Sequence, residues 1–126
     1  MAREVGKGEA ERFLGKAESF YASAQEDLEK GRFDVAAFNA SQAIILANDA
    51  LCIAFLGKRP SKDHREAIQL HVQASAGKEN KKEVISDALK MRGEFGYTEV
   101  KASEKEASLL LVKARRFIDW IMDRTV

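Results

Sequence analysis

One cysteine and one proline stand among 126 residues, and each scarcity removes a class of answers. A single thiol, Cys52, leaves no partner for an intramolecular disulfide and no cysteine cluster for zinc. Its apolar neighbours Leu51 and Ile53 make it a buried small hydrophobe rather than a nucleophile. Few aromatics and a lone proline fit a helical chain. Charge of one sign is not in excess either: 21 basic residues face 20 acidic ones, for a net +1. That balance argues against a protein that coats DNA, yet it permits a local basic patch. No apolar run reaches the roughly 18 residues of a membrane span, so no membrane role is expected. The opening MAREVGKGEAERF has no apolar segment and does not read as a secretory signal, which points to the cytoplasm. No cofactor motif and no metal-ligand spacing is present; His64 and His71 lie seven apart with no third ligand in view.

What the chain does have is helical periodicity in five segments and no strand pattern. The first runs from about Glu9 to Lys30, with Leu14, Ala17, Tyr21, Ala24 and Leu28 on one stripe and Gly31 as the terminator. The second spans Phe33 or Asp34 to Leu56. Ala36, Ala40, Ala43, Ala47, Ala50 and Ala54 give it a small-residue face. From Ala43 onward it is apolar almost all round, which places it at the centre of a bundle or shares it with a second subunit. The third starts near Asp63, with Glu66 completing an approximate capping box, and ends at Gly77. The fourth starts near Asn80, and Gly93 and Gly96 are expected to break it. The fifth has Ser103 as N-cap with Glu106 three residues on. The expected fold is all-α: an antiparallel up-and-down four-helix bundle with one additional shorter helix. It forms a single domain over residues 1–126 whose first eight residues are frayed.

The most informative segment is LKMRGEFGYTEVKAS, residues 89–103. It sets Arg92 on the apolar side of the fourth helix, where an unpaired guanidinium is costly. Either a carboxylate such as Glu94 or Glu99 pairs with it, or it contacts a phosphate, for which its planar fork is suited. Tyr97 covers the end of a core, or its phenol meets a phosphate, stacks on a base or accepts a nucleotidyl group. In an up-and-down bundle the loops after the second and fourth helices share one end. Lys58, Arg59, Lys62, His64 and Arg65 would then gather beside Arg92, Tyr97 and Lys101. His64 is either a solvated first-turn residue or a base in that cluster. His71 reads as a core or interface histidine. Asn48 and Asp49, alone in the apolar stretch of the second helix, read as buried hydrogen-bonding residues or as contacts to a second subunit, with a catalytic carboxylate as the rarer alternative. Trp120, with Leu109, Lys113 and Arg116, forms a second face of the fifth helix, either surface or dimer contact.

Taken together, GRFDVAAFNASQAIILANDALCIAFLGKRPSKDH and the later Arg92, Tyr97 and Ser-capped last helix resemble HEPN domains, small helical bundles of prokaryotes. The resemblance covers about Glu9 to Met122. It implies a homodimer and a tie to nucleotides or RNA. Many such domains are metal-independent ribonucleases with an arginine, four to six residues, then a histidine. Here Arg92 matches the arginine, but after four intervening residues stands Tyr97, and no histidine follows. Other members lack that histidine and are paired with a small nucleotidyltransferase, and family members can carry AMP on the motif tyrosine. The expectation is an accessory or toxin–antitoxin protein that binds a nucleotide or RNA phosphate through Arg92, Tyr97, Lys58, Arg59, Lys62 and Arg65 and acts with a nucleotidyltransferase. An atypical ribonuclease built on Arg92, Tyr97 and His64, and a helical interaction protein without ligand, are the alternatives.

Overall fold

Alanine decides how this chain packs. In the computed structural model, which describes residues 2–60, 63–76 and 79–125, the longest helix is α2, Phe33–Leu56. Its Ala36, Ala37, Ala40, Ala43, Ala47 and Ala50 are fully buried, and small side chains let neighbouring helices come close. The first helix, α1 (Ala10–Glu29), presents Ala17 and Ala24 at zero exposure. By length and composition α2 could cross a membrane, but 67% of its most apolar stretch is buried inside the protein. Its apolar circumference is thus met by the chain's own helices, and it is the axis of the fold.

Three further helices surround it: α3 (His64–Ala74), α4 (Lys82–Tyr97) and α5 (Glu104–Thr125). All five expected helices are present, and the described residues are all-α apart from two short strands. Their local signals hold. Asp63 accepts a hydrogen bond from the backbone N–H of Arg65 at the start of α3, 2.9 Å. Ser103 Oγ accepts from the Glu106 N–H at 3.1 Å while Glu106 Oε1 accepts from the Ser103 N–H at 2.9 Å, a complete capping box. On α5, Ala107, Leu110, Leu111, Ala114, Phe117, Ile118 and Ile121 are buried, the stripe read from sequence.

The fourth helix corrects the sequence reading. It does not break at Gly93 or Gly96 but continues through both to Tyr97. Glycine in a helix costs only about 1 kcal/mol against alanine, which packing readily offsets. At Gly96 the packing is visible: a Cβ there would run into the Phe38 ring.

The order of the ends is also different from an up-and-down bundle. Gly96 meets Phe38 and Arg92 meets Gln42, so α4 runs antiparallel to α2. The intervening α3 has 11 residues, about 16 Å at 1.5 Å per residue, against about 36 Å for α2. It cannot carry the chain back along the bundle. Asn48 alone touches both Ala67 and His71 on successive turns of α3. The chain therefore leaves α2 and begins α4 in the same region. The loop after α4 lies at the opposite end, where the Ala102 N–H donates to Asp34 near the start of α2.

A second correction concerns the N-terminal residues. Arg3–Glu4 (β1) pairs antiparallel with Lys58–Arg59 (β2), Arg3 opposite Arg59 and Glu4 opposite Lys58. The Val5 N–H adds a bond to the Gly57 carbonyl, 2.9 Å, and a 3₁₀ turn at Lys7–Glu9 leads into α1. Gly57, at φ +66°, makes the reversal out of α2 that presents β2 to this partner. Two residues per strand are too few for alternation to show in the sequence.

Candidate anion-binding cleft

Two arginines face each other across the β1–β2 ladder, and like charges placed directly opposite are unfavourable. Their relief lies on α2. Arg59 Nε donates to Asp49 Oδ2 at 3.1 Å, and the same guanidinium stands 4.7 Å over the Phe13 ring. Arg3 and Arg59 line a cleft of about 440 Å³ between the ladder, α2 and α4. Arg92 enters from α4, with Nη1 3.4 Å from Gln42 Oε1. Ile45, Ile85 and Leu89 supply apolar wall. Arginines from three elements thus line one cavity, with Asp49 and Asp63 as its acidic lining.

Asp49 is the chemically unusual member. It is 5% exposed, and burial pushes its carboxyl up to about 6, against the pull of Arg59 and Arg92. Cys52, one turn on, is fully buried; burial and then the Asp49 charge push its thiol well up, so no nucleophilic thiolate forms. Asn48 faces α3 instead of the second subunit that its sequence position allowed. Its amide oxygen lies 3.0 Å from His71 Nδ1, and its Nδ2 donates to the Ala67 carbonyl at 3.4 Å. His71 Nε2 accepts the Lys81 backbone N–H at 2.8 Å, which puts the ring proton on Nδ1, donated to Asn48. His71 is a fully buried core histidine whose pKa falls to about 4 through burial and the nearby Arg124 charge. Both ring nitrogens are occupied, so it is no metal ligand. Among the described residues no group of His, Cys, Asp and Glu could hold a metal ion.

Of the residues singled out from sequence, Arg59 and Arg92 come together in the cleft. Lys58, Arg65 and His64 are exposed beyond its lining, and Lys62 lies outside the described residues. Tyr97 is 75% exposed at the far end of α4, edge-on to Phe38 with centroids 6.1 Å apart. Lys101 is there too, in a shallow hollow with Gly31, Arg32 and Asp34. The expected meeting of Tyr97 and Lys101 with the basic loop fails because α3 is too short to reverse the chain. The hydrogen-bond partner of Arg92 is Gln42 rather than Glu94 or Glu99. Trp120 is half-buried against the core, stacked on Phe117 and covered by Arg124 at 3.7 Å.

Arg3 is a cleft residue that sequence reasoning passed over, whereas Asp49 reads from sequence as a buried hydrogen-bonding residue, with a site carboxylate as the rarer alternative. The charge of Asp49 inside an apolar helix was its signal; Arg3 had none. No curated protein matches the chain. The sequence model of the HEPN domain matches residues 10–124, nearly the whole chain and every helix that builds the cleft. This protein belongs to the HEPN domain family.

Proposed function

We propose that the cleft binds a phosphate group of a nucleotide or of RNA. We further propose that the protein works as an accessory or toxin–antitoxin component with a nucleotidyltransferase partner, as a homodimer in the cytoplasm. The observation that carries the binding is the convergence of Arg3, Arg59 and Arg92 on one partly apolar cavity. Guanidinium forks match phosphate oxygens, and the low net charge of the chain leaves this cluster as a local attractor. Lys58 and Arg65 add positive potential around the ladder and the start of α3. Tyr97, exposed at the other end, is the position for nucleotidyl modification by a partner, as in family members that carry AMP on the motif tyrosine. Leu109 and Val112, exposed one turn apart on α5, are the apolar positions offered to a second copy.

The test is titration of a short oligouridylate against wild type, Arg92→Ala and Arg59→Ala at two salt concentrations. A charge-assisted contact contributes about 1.5–3 kcal/mol, so each variant should bind roughly ten- to a hundredfold more weakly. Binding should also weaken with salt. Equal binding by all three proteins would leave the arginines as structural residues, and no binding by any of them would favour an interaction protein without ligand. A metal-independent ribonuclease is the second reading, favoured by one observation: Asp49, with its raised pKa, shares the cleft with Arg92. Cleavage of single-stranded RNA that disappears in both Arg92→Ala and Asp49→Asn would establish it.

A further inference from the structure

The cleft already contains an anion of its own. Asp49 is buried among the cations, its Oδ2 3.1 Å from Arg59 Nε. Among the described residues, the charged groups that line the cleft with it each belong to a different element: Arg3 on β1, Arg59 on β2, Asp63 at the start of α3 and Arg92 on α4. On α2 itself the nearest titratable group is the Cys52 thiol, which stays protonated. An incoming phosphate therefore meets three cations, two of which already act on a carboxylate. Two anions side by side in a partly buried cavity repel each other, and the usual relief is protonation of one of them.

We propose that the cleft takes up an oxyanion together with one proton, so that a phosphodiester or sulfate is held by Arg3, Arg59 and Arg92 while Asp49 stands as a neutral carboxylic acid donating to a ligand oxygen. The inference rests on the phosphate-binding reading above and specifies how that site is regulated. The proton comes from solvent, and no bond of the ligand breaks. Protonation does two things at once. It turns Asp49 from a competitor into a hydrogen-bond donor, and it frees Arg59 Nε for the ligand. The free protein is placed for this exchange, because burial already holds the Asp49 carboxyl near the physiological range.

Oligouridylate without a terminal phosphate and inorganic sulfate are the probes, because neither changes charge between pH 5 and 8. Their affinities for the full chain are measured across that range at constant ionic strength. For wild type the affinity should rise several-fold per pH unit as the pH falls, with a ceiling of tenfold for one proton, and level off below about pH 6. Asp49→Asn should bind with an affinity independent of pH, near the acid limit of wild type. Calorimetry of wild type in buffers of different ionisation enthalpy gives a second readout that needs no variant: close to one proton taken up per ligand at pH 7. Tight binding that is equally strong at pH 5.5 and 8, with no proton uptake, overturns the coupling and leaves phosphate binding standing. If neither probe binds wild type at any pH, the phosphate reading itself fails and the coupling with it.

Discussion

Acidification from pH 7 to 4 pulls on this fold in two directions through Asp49 and His71. His71 is held neutral, with a pKa of about 4 against 6.5 for the free side chain. Below pH 6.5 the unfolded chain binds a proton there that the folded chain refuses. The stability contributed by His71 is therefore full above pH 6.5 and is lost as the pH falls toward 4. At 1.36 kcal/mol per unit the loss approaches about 3 kcal/mol. Asp49 has the opposite sign. Its folded pKa of about 6 lies above the unfolded 3.8, so the folded chain takes the proton first. Burial of its charge costs about 3 kcal/mol above pH 6, and that cost is relieved as the pH falls from 6 toward 3.8. The two contributions nearly cancel. Asp49→Asn removes only the second, so the variant should be more stable than wild type at pH 7 and lose the advantage on the way to pH 4. With a urea m-value of about 1.5 kcal/mol/M, the midpoint difference between the two proteins should shrink by about 2 M. Urea unfolding followed by circular dichroism at half-unit pH steps measures it. Other carboxylates titrate alike in both proteins, so the difference isolates Asp49. Parallel pH profiles would refute the account of Asp49 as a carboxyl with a raised pKa.

Two further outcomes follow from packing. Gly93→Ala meets open space in the middle of α4 and should stabilise by up to about 1 kcal/mol, whereas Gly96→Ala meets the Phe38 ring and should destabilise by about 1–3 kcal/mol; thermal unfolding of the pair checks both signs. Cys52 should react with a thiol reagent such as Ellman's only after denaturation, because it has no exposed surface and its thiol stays protonated; rapid labelling of the native protein would contradict its place in the core.

The parts of this fold that were legible in the sequence are those fixed by a few neighbouring residues. Ser103 and Glu106 announce the start of α5 because a capping box closes within four residues. The stripe from Ala107 to Ile121 is a matter of period alone. Gly93 and Gly96 misled because glycine is also chosen for close approach, and the ring that Gly96 accommodates comes from a helix more than 50 residues earlier. The grouping of the loops failed for a geometric reason: alternation of direction holds only when every helix is long enough to span the bundle, and α3 is not. Arg92 and Arg59 were both singled out, yet their meeting runs through Gln42 and Asp49, a tertiary arrangement no local pattern encodes. The raised pKa of Asp49 depends on burial, which the apolar run around it hinted at and only the packing could decide.

The β1–β2 clip gives the cleft walls of unequal strength. Arg92 rides on a helix packed into the core, while Arg3 is held by a ladder two residues long and the bond from the Val5 N–H to Gly57. So short a ladder opens at a free energy far below that of global unfolding. Amides of residues 3–5 should exchange with solvent through this local opening, while those in the middle of α2 wait for the whole chain to unfold. When the clip opens, it removes one cation and widens the entrance, yet leaves the helices undisturbed. On the proposed binding of RNA, a polymer too large to thread into the closed cavity would thereby have a way in from the side, and the strand pairing again behind it would hold it in place.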